Sequence, residues 1–113
     1  MIDVVQLDNG TAVLDPGDMR ITAATAPKFK EEILGVVEGG SHRLILDLKG
    51  VNFIDSTGLG ALVGILKRLG PRGDLALCGL QRPVATMFAL TRMDRIFRIF
   101  PDVASASAAF EQV

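Results

Sequence analysis

The chain has 113 residues, of which 49% are hydrophobic and 22% are charged, and its formal net charge is -1. This length suits one domain with a single core, and the composition is that of a folded globular protein rather than a disordered chain. Nucleic-acid binding needs a basic field and stacking aromatic side chains, so a net charge near zero and the lack of Trp and Tyr argue against that function.

The cysteine content and the N-terminal segment bear on where the protein resides. Cys78 is the only cysteine, so it can form no intramolecular disulfide, and its apolar neighbours indicate a small buried residue. The first residues lack the basic region and the long apolar core of a signal peptide, and no apolar span of about 18 residues occurs. We therefore expect a cytoplasmic protein without a membrane partner.

Hydrophobic periodicity and turn signals predict strands and helices in the order ββαβαβαβα. In chain order, the predicted elements are strands 3–8 and 11–15, a helix over 24–40, a strand over 42–48, a helix over 57–69, a strand over 74–79, a helix over 83–91, a strand over 96–100 and a helix over 104–112. Asn9-Gly10 favours a hairpin between the first two strands, Thr25 is the predicted cap of the first helix, and Gly70-Pro71 ends the second. The order predicts an α/β domain with a mixed sheet.

The stretch DSTGLG, residues 55–60, follows an apolar run and precedes the second helix. The simplest interpretation is that Ser56 caps this helix, with its hydroxyl accepting a hydrogen bond from a first-turn N–H group. The same position would hold the hydroxyl at the surface, where a phosphoryl group would lie at the positive end of the helix dipole. We therefore expect Ser56 to serve as a cap and as a possible site of modification.

Nucleotide-binding and catalytic interpretations of this stretch are less favourable. The spacing of Gly58, Gly60 and Gly64 resembles a dinucleotide fingerprint, but the preceding clear strand ends near Leu48 and the chain is short for that fold. No Gly-Lys-Ser/Thr sequence indicates a P-loop. The only histidine, His42, begins a distant strand, and no oxyanion-hole or metal-ligand cluster is evident. We expect no enzymatic activity, catalytic residue, metal or cofactor.

The second helix has a predicted outer face that contains two glycines. Glycine costs about 1 kcal/mol relative to alanine inside a helix, so its use here favours a flat surface that a partner approaches closely. The alternative is that the glycines pack against a loop of the same chain. If the leucines and Val63 are buried, the outward residues are Thr57, Gly60, Gly64, Lys67 and Arg68.

The segment LILDLKGVNFIDSTGLGALVGILKRL resembles the signature of the STAS domain family, the bacterial anti-sigma-factor antagonists. The later segment RPVATMFALTRMDRIFRIFPDVASASAAF is similar to the third helix, last strand and C-terminal helix of that family. The resemblance implies a single STAS domain over residues 1–113. It also implies a mixed sheet of four to five strands, with about four helices mainly on one face.

The resemblance further implies a partner-switching function. In the family, the serine after the aspartate, here Ser56, is phosphorylated by an anti-sigma factor that is itself a serine kinase, and a serine phosphatase removes the phosphate. The unphosphorylated protein binds the kinase and the phosphorylated protein releases it. The outward residues of the helix and those around the loop are then the expected partner-binding residues: Thr22, Asp55, Thr57, Gly58, Leu59, Gly60, Gly64, Lys67 and Arg68.

One departure from the family pattern leaves other functions open. Members usually carry Gly-x-Leu-Asp at the end of the second strand, whereas this chain has MRIT, which ends in Thr22, with an unusual Arg20 before it. An alternative is a constitutive STAS module that scaffolds a signalling complex or a lipid-transport ATPase, in which Ser56 is only a cap and contact residue. A third is a module that binds a nucleotide or lipid beside the loop.

Overall fold

The computed structural model describes residues 2–111, which form seven strands and four α-helices. The elements are β1 (Asp3–Gln6), β2 (Thr11–Asp15), β3 (Met19–Ile21), α1 (Ala26–Glu38), β4 (Arg43–Asp47), β5 (Val51–Ile54), α2 (Ser56–Leu69), β6 (Asp74–Cys78), α3 (Arg82–Leu90), β7 (Arg98–Phe100) and α4 (Val103–Glu111). Short 3-10 turns follow α2 and α3. The predicted end of the last helix, Gln112, lies outside the described residues.

Five strands form a mixed sheet in the order β1-β2-β4-β6-β7. β1 and β2 pair antiparallel across the predicted hairpin, whereas β2, β4, β6 and β7 are parallel. The helices between the parallel strands provide the crossovers that such pairing requires. The predicted mixed α/β fold is confirmed, and each of its five predicted strands is present.

A second, two-stranded sheet was not predicted from the sequence. β3 and β5 pair in parallel, apart from the larger sheet. Only Leu48, Lys49 and Gly50 separate β5 from β4, and β3 is three residues long. The expectation that the last strand before the glycine series ends near Leu48 is therefore wrong, since β5 leads directly into α2.

The helices cover the two faces of the five-stranded sheet unequally. Because successive side chains of a strand point to opposite faces, Leu44 and Leu46 belong to one buried cluster and Ile45 to another. The first cluster contains residues of α1, α2 and α3 and the second contains residues of α4, so three of the four helices pack on one face. The predicted one-sided arrangement is confirmed.

Cys78 lies in the second cluster and has no exposed surface. Burial raises the pKa of its thiol to about 12, and the negative charge of Asp47 adds to this shift. The expectation of a small buried residue is confirmed. His42 is exposed, which agrees with a solvated histidine.

Candidate functional site

The two-stranded sheet brings two loops together at one edge. Because β3 and β5 are parallel and Ile21 pairs with Ile54, the loop after β3 and the start of α2 lie side by side. The backbone N–H of Asp55 continues this pairing by donating to the carbonyl oxygen of Ile21 at 3.1 Å. The site is therefore built on the sheet that sequence patterns did not reveal.

Asp55, rather than Ser56, caps α2. One carboxylate oxygen, Oδ1, accepts the N–H of Gly58 at 2.9 Å, which is the bond of an N-cap aspartate. The other oxygen, Oδ2, accepts the N–H of Ala23 at 3.2 Å, in the loop after β3. The predicted capping role of Ser56 is wrong, because the helix begins one residue earlier than expected and the aspartate reaches both loops.

Ser56 occupies the first position of α2 and its side chain is exposed. No hydrogen bond from its hydroxyl to another of the residues 2–111 is present. Thr57 follows in the first turn and is exposed as well. Since α2 has 14 residues, its N-terminus carries the full positive end of the helix dipole, which favours negative charge at this position.

Gly58 and Leu59, two of the expected partner-binding residues, are buried. A Cβ atom on Gly58 would lie 2.5 Å from the carbonyl oxygen of Ile21, so the glycine permits α2 to pack against β3. Leu59 is 4% exposed and belongs to the main core. Both residues pack against the interior of the protein and expose no side chain to a partner in this conformation.

The outward glycines differ in their surroundings. A Cβ atom on Gly60 would meet no atom within 4 Å, so this residue faces open space. A Cβ atom on Gly64 would lie 2.6 Å from the ammonium nitrogen of Lys30, which extends from α1. A shallow groove of about 220 Å³ runs between the helices beside Thr57 and Gly60 and is also lined by Lys30. Only Gly60 therefore lies open beside Ser56.

Lys67 and Arg68 lie at the other end of α2, roughly 17 Å along the helix from Ser56 at 1.5 Å per residue. Both are exposed, and Arg68 donates to the carboxylate of Glu38 at 2.7 Å. The basic residues suit the negative end of the helix dipole. They are on the same helix as the loop but not beside it.

Thr22 and Thr25 order the loop after β3 by local hydrogen bonds. The hydroxyl of Thr25 accepts the N–H of Thr22 at 2.9 Å and donates to the carbonyl oxygen of Arg20 at 2.6 Å. The expectation that Thr25 caps α1 is correct for its position but not for its side chain, which makes no bond to the first turn. Thr22 itself accepts the N–H of Ala24 at 3.2 Å.

Exposed Arg20 and half-buried Phe53 form a pair on the small sheet. The guanidinium carbon of Arg20 lies 4.5 Å from the centre of the Phe53 ring, a distance typical of a cation–π contact. The two residues are partners in the β3–β5 register. Sequence analysis singled out Arg20 alone, because Phe53 belonged to a strand that was not predicted.

Lys49 joins the ends of two strands outside this site. Its ammonium group lies 2.8 Å from a carboxylate oxygen of Asp15 and 3.0 Å from one of Asp47. The hydrogen bond from Lys49 holds the pKa of Asp15 below its usual value, and the N–H of Gly17 adds to the effect. Conversely, the bonds to Asp15 and then Asp47 raise the pKa of Lys49.

Within residues 2–111, no group of three or more His, Cys, Asp or Glu side chains is arranged to hold a metal ion. None of the helices in this part of the chain is long and apolar enough to cross a membrane. The candidate site consists of the exposed hydroxyl of Ser56, the anchored carboxylate of Asp55 and the open helix surface at Gly60.

Comparisons with known proteins show which family has sequences similar to this chain. The STAS domain family matches residues 5–106. The anti-sigma-B factor antagonist of Listeria monocytogenes is 43% identical over 82 residues, which are 70% of each chain. That of Bacillus subtilis is 33% identical over 87% of this chain and 88% of its own.

A structural comparison agrees with the sequence matches. The crystal structure of an anti-sigma factor antagonist from Mycobacterium paratuberculosis superposes with a TM-score of 0.86. The two chains are 26% identical, and the match covers 96% of this chain and 92% of the other. From the family match, the identities and the shared fold, we conclude that this chain belongs to the STAS domain family.

Proposed function

We propose that this protein is an anti-sigma-factor antagonist that binds an anti-sigma factor when Ser56 carries a free hydroxyl and releases it when Ser56 is phosphorylated. The observation that carries this proposal is the exposed hydroxyl at the first position of α2, beside a loop that Asp55 anchors through both carboxylate oxygens. Relatives that are named anti-sigma-B factor antagonists support the role.

The covalent step takes place on this chain but the catalytic groups belong to the partner. The Ser56 oxygen attacks the γ-phosphorus of ATP held by the anti-sigma factor, the bond to the β-phosphate oxygen breaks and ADP leaves. The hydroxyl proton passes to a base of the kinase. A serine phosphatase later transfers the phosphoryl group to water, which restores the hydroxyl. This protein acts as a substrate and binding partner rather than as an enzyme.

Phosphorylation reverses binding through charge. A phosphoserine adds about -1.5 to -2 charges, and Asp55 already places a carboxylate at the adjacent position. In a desolvated interface these charges must find cationic partners or the contact is lost. The helix N-terminus stabilises the phosphate by only about 0.3–1 kcal/mol, and it does so equally in the free protein. The complex is therefore weakened.

Calorimetric titration of the anti-sigma factor from the same organism tests the proposal. Wild type and Ser56→Ala should bind with similar affinity, because the hydroxyl is neither a cap nor buried. The phosphorylated protein should bind about 150-fold more weakly if the uncompensated charge costs about 3 kcal/mol, and Ser56→Asp should show part of this loss. Thr57→Ala is the matched control, since it removes the neighbouring exposed hydroxyl.

Two results would contradict the proposal. Equal affinities of the unmodified, substituted and phosphorylated proteins would indicate a constitutive binding module. Mass spectrometry after reaction with the kinase and ATP should place the phosphate on Ser56, and a phosphate on Thr57, Thr22 or Ser41 would overturn the assignment.

Gly60→Leu should weaken binding without unfolding the protein, because a side chain there enters open space beside Ser56.

A further inference from the structure

A second surface, at the C-terminal end of α3 and on β7, is apolar and exposed. Leu90, Ile96 and Ile99 are 76%, 50% and 37% exposed. Beside them, between α3 and β7, lies an open cleft of about 660 Å³ whose lining includes Phe88 and Phe100. We call Leu90, Ile96, Ile99, the cleft and the exposed Arg92 and Arg95 the α3–β7 surface. None of these residues belongs to the proposed Ser56 surface.

The same surface concentrates positive charge in the form of arginine. Residues 80–110 contain four arginines, two aspartates and neither lysine nor glutamate. Arg92 and Arg95 are exposed and form no ion pair within residues 2–111. Arg82 is also exposed but begins α3 at its other end, and Arg98 lies 4.0 Å from Asp74 with its guanidinium over the rings of Phe100 and Phe110. Asp94 is the acidic residue among the cleft-lining side chains. Two of these cations, Arg92 and Arg95, therefore lie close in the chain to Leu90 and Ile96 and have no ion-pair partner among the described residues.

Arg92 adopts a backbone conformation that favours glycine. Its φ angle is 62°, and it is the only residue other than glycine with positive φ within residues 2–111. It follows Thr91, the C-cap of α3, at the position where helices commonly place glycine. A left-handed conformation is unfavourable for a residue with a Cβ atom, and such outliers point to function when nothing local requires the side chain.

We propose that the α3–β7 surface docks a protein segment that carries carboxylates around apolar side chains. Leu90, Ile96 and the cleft would hold the apolar groups, while Arg92 and Arg95 would pair with the carboxylates. Exposed arginine with large apolar residues, and without lysine or glutamate, is the composition of protein interfaces. Arginine also binds carboxylates through two parallel hydrogen bonds, which lysine cannot form.

Two other occupants fit the surface less well. A second copy that docked the same surface by two-fold symmetry would bring the arginines of both chains together, so like charges would oppose the contact. A membrane interface is usually marked by Trp or Tyr at the boundary, and this chain has neither. Charge complementarity therefore favours an acidic protein segment.

The probe is a capped peptide of leucines separated by pairs of glutamates, titrated into the isotope-labelled full chain and followed by amide chemical shifts. We expect saturable shifts centred on residues 88–100. The double variant Arg92→Glu/Arg95→Glu should bind at least about tenfold more weakly, because two attractive pairs become repulsive. Arg72→Glu is the matched control, since Arg72 is exposed, forms no ion pair among the described residues and lies on the turn after α2.

A second variant separates binding from folding. Arg92→Gly should melt at the same temperature as wild type or higher, since glycine suits the left-handed position, but should bind the peptide more weakly. The proposal is overturned if no saturable shift occurs at peptide concentrations up to about 1 mM. It is also overturned if a peptide with lysines in place of glutamates binds equally, if the double variant binds normally, or if the chain binds anionic vesicles through these arginines instead.

Discussion

The five-stranded sheet and the two-stranded sheet both bury aliphatic side chains, but they differ in how many residues of each strand are buried. β4 lies in the middle of the large sheet, has helices on both faces and buries four of its five residues. β3 and β5 are shorter, have an irregular register after Met19 and bury only the inner side chains, such as Ile21 and Ile54. The large sheet holds the centre of the core, whereas the small one positions Asp55. Substitutions should therefore separate stability from binding according to the sheet they affect.

The largest loss of stability is expected from a substitution in the centre of the five-stranded sheet. Leu46→Ala removes a side chain that is 1% exposed, and the resulting cavity should lower the free energy of unfolding by about 2–5 kcal/mol. Urea denaturation measures this loss. Val4→Ala on the exposed edge strand β1 is the control and should change stability by less than about 0.5 kcal/mol. Comparable losses would mean that the centre of the sheet is not the main source of stability.

Gly58→Ala tests the contact between α2 and the small sheet. The added methyl group would meet the backbone oxygen of Ile21, which cannot turn aside as a flexible side chain can. We expect a net loss of about 1–3 kcal/mol in denaturant unfolding, even though alanine is the better helix former. Amide shifts should change on β3 as well as on α2. Unchanged β3 shifts would show that the helix accommodates the methyl group alone.

Asp55→Ala should lower the free energy of unfolding less than Gly58→Ala does, but it should loosen the loop after β3 more. Loss of the N-cap should cost about 0.5–2 kcal/mol. The N–H of Ala23 loses its acceptor at the same time, so its hydrogen exchange should become faster. Asp55→Asn is the control, since its single side-chain oxygen can keep the bond to Gly58 but not both bonds. Unaltered exchange at Ala23 would show that the carboxylate does not hold the loop.

Gly60→Ala is expected to raise stability slightly. The position is in the interior of α2 and faces open space, so the substitution gains about 0.8–1 kcal/mol of helix propensity without a clash. Chemical denaturation of this variant beside Gly58→Ala compares two glycines of one helix. A loss of stability in both would contradict the outward orientation of Gly60.

Lys49→Gln should give the smallest change in the free energy of unfolding, and this change should depend on pH. Because Lys49 lowers the folded-state pKa of Asp15, their interaction stabilises the protein above the unfolded pKa of about 3.9 and is lost as pH falls through the lower folded value. The folded protein should therefore lose less stability between neutral and acidic pH in the variant than in wild type. Urea midpoints across this range measure the difference, and parallel curves would contradict it.

The centre of the large sheet was predictable because β2, β4 and β6 are mostly apolar runs between clear turn signals. Leu44 to Leu48 is such a run, and Asn9-Gly10 marks the hairpin. β3 and β5 were not predicted, because β3 lies just after a Pro-Gly turn and β5 follows β4 after only three residues, so neither stands out as a separate run, and their pairing depends on tertiary contacts. Prediction was thus weakest in the part of the fold that supports the candidate site.

Sequence patterns drew attention to Asp55 and Ser56 as the candidate site, but they did not show which of the two residues caps α2. Both residues are good N-caps, and their sequence order alone does not decide which one takes the role. The bond from Ala23 to Asp55 joins residues that are 32 positions apart, so it is a property of the folded chain. The burial of Gly58 likewise depends on the position of β3.

The single buried thiol of Cys78 provides a natural reporter of opening motions in the native protein. It lies in β6, an inner strand of the large sheet, and packs in one buried cluster with Ala106 and Phe110 of α4, so a labelling reagent reaches it only after this side of the molecule separates. With a pKa of about 12, the folded thiol is protonated at neutral pH and lacks the reactive thiolate. The rate of maleimide labelling in dilute denaturant would then measure how often α4 leaves the sheet, without any introduced probe.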